Sequence, residues 1–189
     1  MSLEYKDIVE KFDTDTALAV QEAKVCIMFL GPDLKTLGHA SKLRACLIDT
    51  FKTETITIKG EHKELIAVHK RYLGTASDLC RVELDLAVRL IDGIVIIPYS
   101  AGSLVELGMF TFYPTICKKT LVLFSQEFNN PKEPSFIWSC TRQAYKLRGA
   151  TIEFVDYSQT DSTINKVKEF ITNIRALKYD ANLVKFAAK

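Results

Sequence analysis

Five short runs of apolar residues recur along the chain, and they limit its folding more than any other feature. They are 24–30 (KVCIMFL), 53–59 (TETITIK), 92–98 (DGIVIIP), 119–125 (KTLVLFS) and 151–157 (TIEFVDY). Each is brief, rich in β-branched or aromatic residues and stopped by turn formers, the pattern of a buried strand. The stretches between them have helical spacing. Over 38–51, Leu43, Leu47, Ile48 and Phe51 share one face. A further helix, capped by Ser77 or Asp78, runs to about Arg89 and aligns Leu79, Val82, Leu86, Ala87 and Leu90, with Glu83 between them. Helices are also expected over 100–112, ended by Pro114, and over 163–177. Strands alternating with helices must be parallel, because parallel neighbours need a crossover between them. The expected fold is therefore α/β: a doubly wound, flavodoxin- or Rossmann-like, five-stranded parallel sheet with flanking helices and right-handed connections.

The remaining segments are less regular. Residues 3–20 carry a helical stripe interrupted by Asp13 and Asp15, which predicts a helix with a break, outside the sheet. Residues 61–72 read as a helix or an ordered loop, broken by Gly74. Residues 126–141 form the one long irregular segment, ending in Phe136-Ile137-Trp138, with a short piece at 142–147 after it. The tail 178–189 is expected to be weakly structured or docked on a neighbour. With no internal repeat and no low-complexity linker, residues 1–189 read as a single domain.

Composition removes several classes of function. A chain of 189 residues that is 48% hydrophobic and 25% charged can bury a full core without metals or disulfides. A net charge of +2 and no basic run longer than Lys118-Lys119 give no footprint for nucleic acid. The apolar runs are too short to span a bilayer, and the N-terminus MSLEYKDIVEKF carries acids where a secretion signal carries bases. Five cysteines without a C-x-x-C, most of them in apolar surroundings, point to buried thiols in a reducing cytoplasm. His39, His62 and His69 lack a partner at metal-ligand spacing, so neither metal nor other cofactor is expected. No P-loop, G-x-G-x-x-G or Ser-His-Asp set is evident.

In an open α/β sheet, ligands sit beyond the C-terminal strand ends, at the point where the strand order reverses. The loops expected there are 31–39, 60–63, 99–103 and 126–138. The richest corner is 94–111 (IVIIPYSAGSLVELGMFT), where an apolar strand passes through small residues into a helix that carries Glu106. Two readings of Glu106 stand. Ser103-x-x-Glu106 has the spacing of a capping box, with the acid reaching back to the Ser103 N–H. Alternatively, an acid among Leu104, Val105, Leu107 and Met109 has a raised pKa and a chemical task. The small turn can also offer backbone N–H groups to a ligand's oxygens.

Other candidates carry paired readings too. Glu83 is either a second acid, or part of a solvated helix face, or a salt-bridge partner of Arg81 or Lys70. Arg44 either contacts a phosphate near the helix start or sits on the surface with Ser41. Phe136 and Trp138 either stack on a base, or fill the core or a subunit contact.

The turn GSLVELGMF resembles that of the nucleoside 2-deoxyribosyltransferases, whose glutamate lies in G-S/T-x-x-E-x-G; Gly102, Ser103, Glu106 and Gly108 occupy those places. Glu83-Leu84-Asp85-Leu86-Ala87 with Asp92-Gly93-Ile94-Val95-Ile96 is similar to a bacterial subgroup, the deoxyribosyltransferase-like effectors of retrons and related anti-phage systems. IMFLGPDL resembles the family's first strand with its Gly31-Pro32, and Ser41 with Arg44 its S-x-x-R. The likeness runs from about Lys24 to Ser125. It implies an N-glycosidase or ribosyltransferase acting on a nucleoside, nucleotide or NAD-like dinucleotide. Glu106 would be the nucleophile or ion-pairing carboxylate, and Glu83 would stand where the family carries its second acid, usually an aspartate. Gly31, Pro32, Ser41, Arg44, Asp92, Ser100, Gly102 and Ser103 would bind substrate. The turn YSAG lacks the aspartates common before the family's glycine, which favours ribose over deoxyribose. The likeness further implies a toxic effector, a homo-oligomer, and a defence partner such as a reverse transcriptase or its non-coding nucleic acid. The alternatives are a module that senses nucleotides without cleaving them and a scaffold subunit of a defence complex.

Overall fold

A computed structural model describes residues 5–59, 67, 79–129 and 136–187. The elements are α1 (Tyr5–Glu22), β1 (Cys26–Leu30), α2 (His39–Phe51), β2 (Ile56–Lys59), α3 (Leu79–Arg89), β3 (Gly93–Ile96), α4 (Ala101–Phe110), α5 (Pro114–Cys117), β4 (Thr120–Ser125), a 3₁₀ turn (Gln126–Phe128), α6 (Phe136–Leu147), β5 (Thr151–Val155) and α7 (Thr160–Ala187). The strands form one sheet in the order β2-β1-β3-β4-β5, every pair parallel. The doubly wound fold expected from the alternation is the fold observed.

Strand periodicity divides the core into two layers. Ile27 and Phe29, Val95 and Ile97, Leu121 and Leu123 face α2 and α7, with Leu43, Leu47, Phe51, Val167 and Ile171. Met28 and Leu30, Ile94 and Ile96, Val122 and Phe124 face the opposite layer, with Ala87, Leu107, Phe110 and Tyr145. The three central strands are buried on both sides, which is why they read as solid apolar runs. Gly93 opens β3 at a tight point: a Cβ there would lie 2.9 Å from Ile27 Cδ1 and 3.2 Å from Ile174 Cγ1.

Four expectations need correction. α1 is unbroken, because Asp13 and Asp15 point to solvent and Thr14 Oγ1 donates back to Glu10 O at 2.8 Å. β2 starts only at Ile56, because Thr55 Oγ1 donates to Phe51 O and so finishes α2. Residues 136–147 are one helix rather than a loop followed by a short piece, and Ile137, Cys140, Ala144 and Tyr145 follow a helical period. α7 extends through most of the tail that was expected to be weakly structured. It is 28 residues long, roughly 42 Å at 1.5 Å per residue, and meets neither Gly nor Pro. Lys178 fastens it by donating to Asp92 Oδ2 (2.6 Å) and Lys24 O (2.8 Å). No helix among the described residues is long and apolar enough to cross a membrane. The expected segment 61–72, Gly74, the caps Ser77 and Asp78, His62, His69 and the rim loop 60–63 lie outside the described residues.

Candidate functional site

The strand order reverses between β1 and β3, so the crevice for a ligand opens above these two strands. Their ends are joined tightly: Ile97 N–H donates to Leu30 O at 3.0 Å. Gly31 lies between two neighbours, and a Cβ there would stand 3.2 Å from both Arg44 Cδ and Ile97 Cβ. Its φ of +156° also suits glycine alone.

Arg44 builds the β1 side. It lies on the inner face of α2 with Ser41 one turn before it, and their exposures are 1% and 4%. Its guanidinium donates to Phe29 O through Nε (3.3 Å) and Nη2 (2.9 Å), and through Nη1 to Gly31 O (3.3 Å) and Pro32 O (2.9 Å). Three carbonyls at the end of β1 are thus held by one side chain. Arg44 shapes the rim from beneath, and the surface position considered for it does not occur.

Ser100 and Ser103 build the β3 side. Ser100 is the N-cap of α4: its Oγ accepts from Ser103 N–H (3.2 Å), and Ser103 Oγ accepts from Ser100 N–H (2.9 Å) and Tyr99 N–H (3.1 Å). This is a reciprocal cap made by two serines, one turn earlier than the Ser103-x-x-Glu106 box expected from spacing. The Ser103 N–H is already taken, so Glu106 is not the capping group. Two of the turn's N–H groups also bond within the turn, which leaves less of it for a ligand than the sequence promised.

Glu106 lies one turn further into α4, part-buried, with Oε2 shielded from solvent. The C-terminal half of α4 is fixed by its unsatisfied carbonyls. Tyr145 Oη of α6 donates to Leu107 O (3.0 Å), Thr111 Oγ1 to Gly108 O (2.6 Å), and Cys117 Sγ to Phe110 O (3.4 Å). Burial, then the nearby Cys117 and Glu106, push the Tyr145 hydroxyl far above its ordinary pKa, so the Glu106 charge is felt at that hydroxyl. Tyr145 went unrecognised in the sequence because its segment read as short and irregular.

Glu83 is 2% exposed, which removes the solvated-face reading; of the two salt-bridge partners considered, Arg81 is exposed and Lys70 lies outside the described residues. α3 leads down into β3 and α4 leads away from it, so the N-terminal half of each lies at the rim. Glu83 falls in that half of α3, whereas Glu106 stands at the middle of α4, and both helices belong to the layer that contains Ala87 and Leu107. Among the described residues, no His, Cys, Asp and Glu group could hold a metal ion.

Asp92 joins none of this. It precedes β3 at the foot of the sheet, where its Oδ2 accepts from Cys26 N–H (2.7 Å) and Lys178 Nζ. Gly102 and Gly108 have no neighbour within 4 Å of an added Cβ and no positive φ, so neither crowding nor backbone conformation explains them. One aromatic at the rim was missed in the sequence: Tyr99, 54% exposed, stands edge-on to Tyr157 with ring centres 5.8 Å apart. The side chains of Phe136 and Trp138 lie outside the described residues.

A family model described as STM3845 retron effector protein matches residues 40–187. The match covers α2 to α7, well past Ser125 where the resemblance in the sequence stopped, and it leaves out α1 and β1. No curated protein matches the chain.

Proposed function

The chain belongs to the STM3845 retron effector protein family, and on that premise we propose that it is the toxic effector of a bacterial anti-phage system. Its reaction would be cleavage of the N-glycosidic bond of a nucleotide, nucleoside or NAD-like dinucleotide. The observation that supports this reading is the Ser100–Ser103 cap, which leaves Glu106 out of the capping role on the helix that follows β3, one of the two strands flanking the switch point.

Breaking a base–sugar bond builds positive charge at the sugar's anomeric carbon, and a carboxylate can stabilise that centre or trap it covalently. Glu106 takes this part. The leaving base carries away the bonding electron pair and a proton, and water supplies hydroxyl to the sugar, so hydrolysis needs no redox partner. Glu83, in the same helical layer, is the acid that can serve the base or the water. Tyr99 offers an exposed ring to the base, while Arg44 and Gly31 hold the floor. The absence of aspartate from Tyr99-Ser100-Ala101-Gly102 favours a ribosyl substrate. Toxicity would be restrained by a defence partner until infection, and assembly into a homo-oligomer fits the same picture.

The test is incubation of the purified chain with NAD⁺, nucleotides and nucleosides, with released base followed by chromatography. Wild type should release base and Glu106→Gln should lose at least about 10²-fold of the rate, the lower range for a removed acid–base group. Expression in growing cells should slow growth for wild type and not for Glu106→Ala. No base from any of these substrates, together with equal growth of the two strains, would sink the proposal.

A further inference from the structure

A second concave site lies at the foot of the sheet, on the edge opposite Glu106, and no step of the proposed reaction uses it. It is a cleft of about 310 Å³ lined by Asp92, Lys118, Lys119, Ile174, Leu177 and Lys178 together with the outer turn of α7. We propose that this cleft binds a phosphate monoester whose organic part covers Ile174 and Leu177.

Charge is the first argument. Three ammonium groups face one carboxylate in the lining, which leaves a formal +2. A phosphate monoester carries about −1.5 to −2 at neutral pH and so matches it, whereas a carboxylate would neutralise only half.

The donor inventory is the second argument. A lysine has three N–H donors. Lys178 spends two, on Asp92 Oδ2 and Lys24 O, and Lys119 spends one on Ile91 O. Lys118 is exposed beside them. Asp92 Oδ2 is occupied by Cys26 N–H and Lys178, so the one acid is tied back. The spare donors suit the three terminal oxygens of a phosphate better than the two of a carboxylate. Burial already lowers the Lys119 pKa, and a bound anion would offset that penalty.

Size and the apolar floor are the third argument. The volume lies near the lower limit of small-molecule sites, room for a mononucleotide-sized ester but not for a dinucleotide. Leu177, 62% exposed, and the buried Ile174 give the organic part an apolar surface. This site shares no lining residue with the rim acids Glu83 and Glu106 and does not depend on the N-glycosidase reading.

Phenyl phosphate, inorganic phosphate and benzoate are the probes, titrated into the full chain by calorimetry. Phenyl phosphate should bind saturably and more tightly than inorganic phosphate, and benzoate at least tenfold more weakly. Lys119→Gln and Lys118→Gln should each weaken phenyl phosphate binding about tenfold, while Glu106→Gln leaves it unchanged. If Lys119→Gln fails to fold, the exposed Lys118→Gln decides. No saturable phosphate binding, equal affinity for benzoate, or a Lys118→Gln, Lys119→Gln double variant within twofold of wild type would overturn the assignment. Binding of a single-stranded oligonucleotide through these lysines without phenyl phosphate binding would overturn it as well.

Discussion

The two ends of the parallel sheet treat charge in opposite ways. At the rim, Arg44 is wholly buried and donates to the backbone carbonyls of Phe29, Gly31 and Pro32, and Glu83 and Glu106 are set into helices with their Oε2 atoms shielded. At the foot, Asp92 and Lys178 remain a quarter to a third exposed and pair with each other, while Lys119 caps the carbonyl of Ile91. Foot charges of this kind tie elements together at small cost. Taking an acid out of water is costly, so the two ends also differ in what their charges cost the fold.

Removing Arg44 should separate the two ends most sharply in stability. Arg44→Ala orphans the carbonyls of Phe29, Gly31 and Pro32 and should cost about 3 kcal/mol or more by denaturant titration. A cost below about 1 kcal/mol would mean that the rim is not held from beneath by this residue.

A smaller effect is expected at the base of α4. Tyr145→Phe removes the hydroxyl from Leu107 O and should cost about 1–2 kcal/mol. The same substitution has a signature in pH. Burial raises the Tyr145 and Tyr157 hydroxyls above their ordinary pKa of 10.0. A raised pKa means that the neutral hydroxyls contribute fully below pH 10, and that stability falls as pH climbs from there toward the folded values. Wild type should therefore lose stability above pH 10 more steeply than a Tyr145→Phe, Tyr157→Phe variant; parallel profiles would remove this contribution.

The smallest effect belongs to the foot. Asp92→Asn keeps an acceptor for Cys26 N–H and loses only a partly exposed ion pair, so about 1 kcal/mol or less is expected in a thermal melt. A larger loss would show that the foot holds the fold as firmly as the rim.

The sheet was legible in the sequence because its central strands are buried on both faces and therefore appear as solid apolar runs. Where side chains of one segment settle a local question, the sequence misleads. Ser103-x-x-Glu106 has ideal capping spacing, yet Ser100 supplies the cap and Ser103 answers it. Asp92, adjacent in sequence to the apolar heart of β3, was placed with substrate-binding residues although it precedes the strand and therefore lies at the far end from the ligand crevice. Tyr145 and Tyr99 escaped notice because their importance depends on partners 38 and 58 residues away, Leu107 and Tyr157, that only the fold supplies. Glu83 was legible as a candidate but not as a buried one, since helical spacing alone could not say which neighbours would cover it.

The most direct measurement compares an acid at the rim with an acid at the foot. Glu106→Gln and Asp92→Asn, purified together with wild type, are assayed for base release from NAD⁺ and nucleotides at equal folded concentration. Function at the rim predicts that Asp92→Asn stays within about threefold of wild type while Glu106→Gln falls by at least about 10²-fold. Equal activity in all three, or an equal loss in both variants, would contradict it.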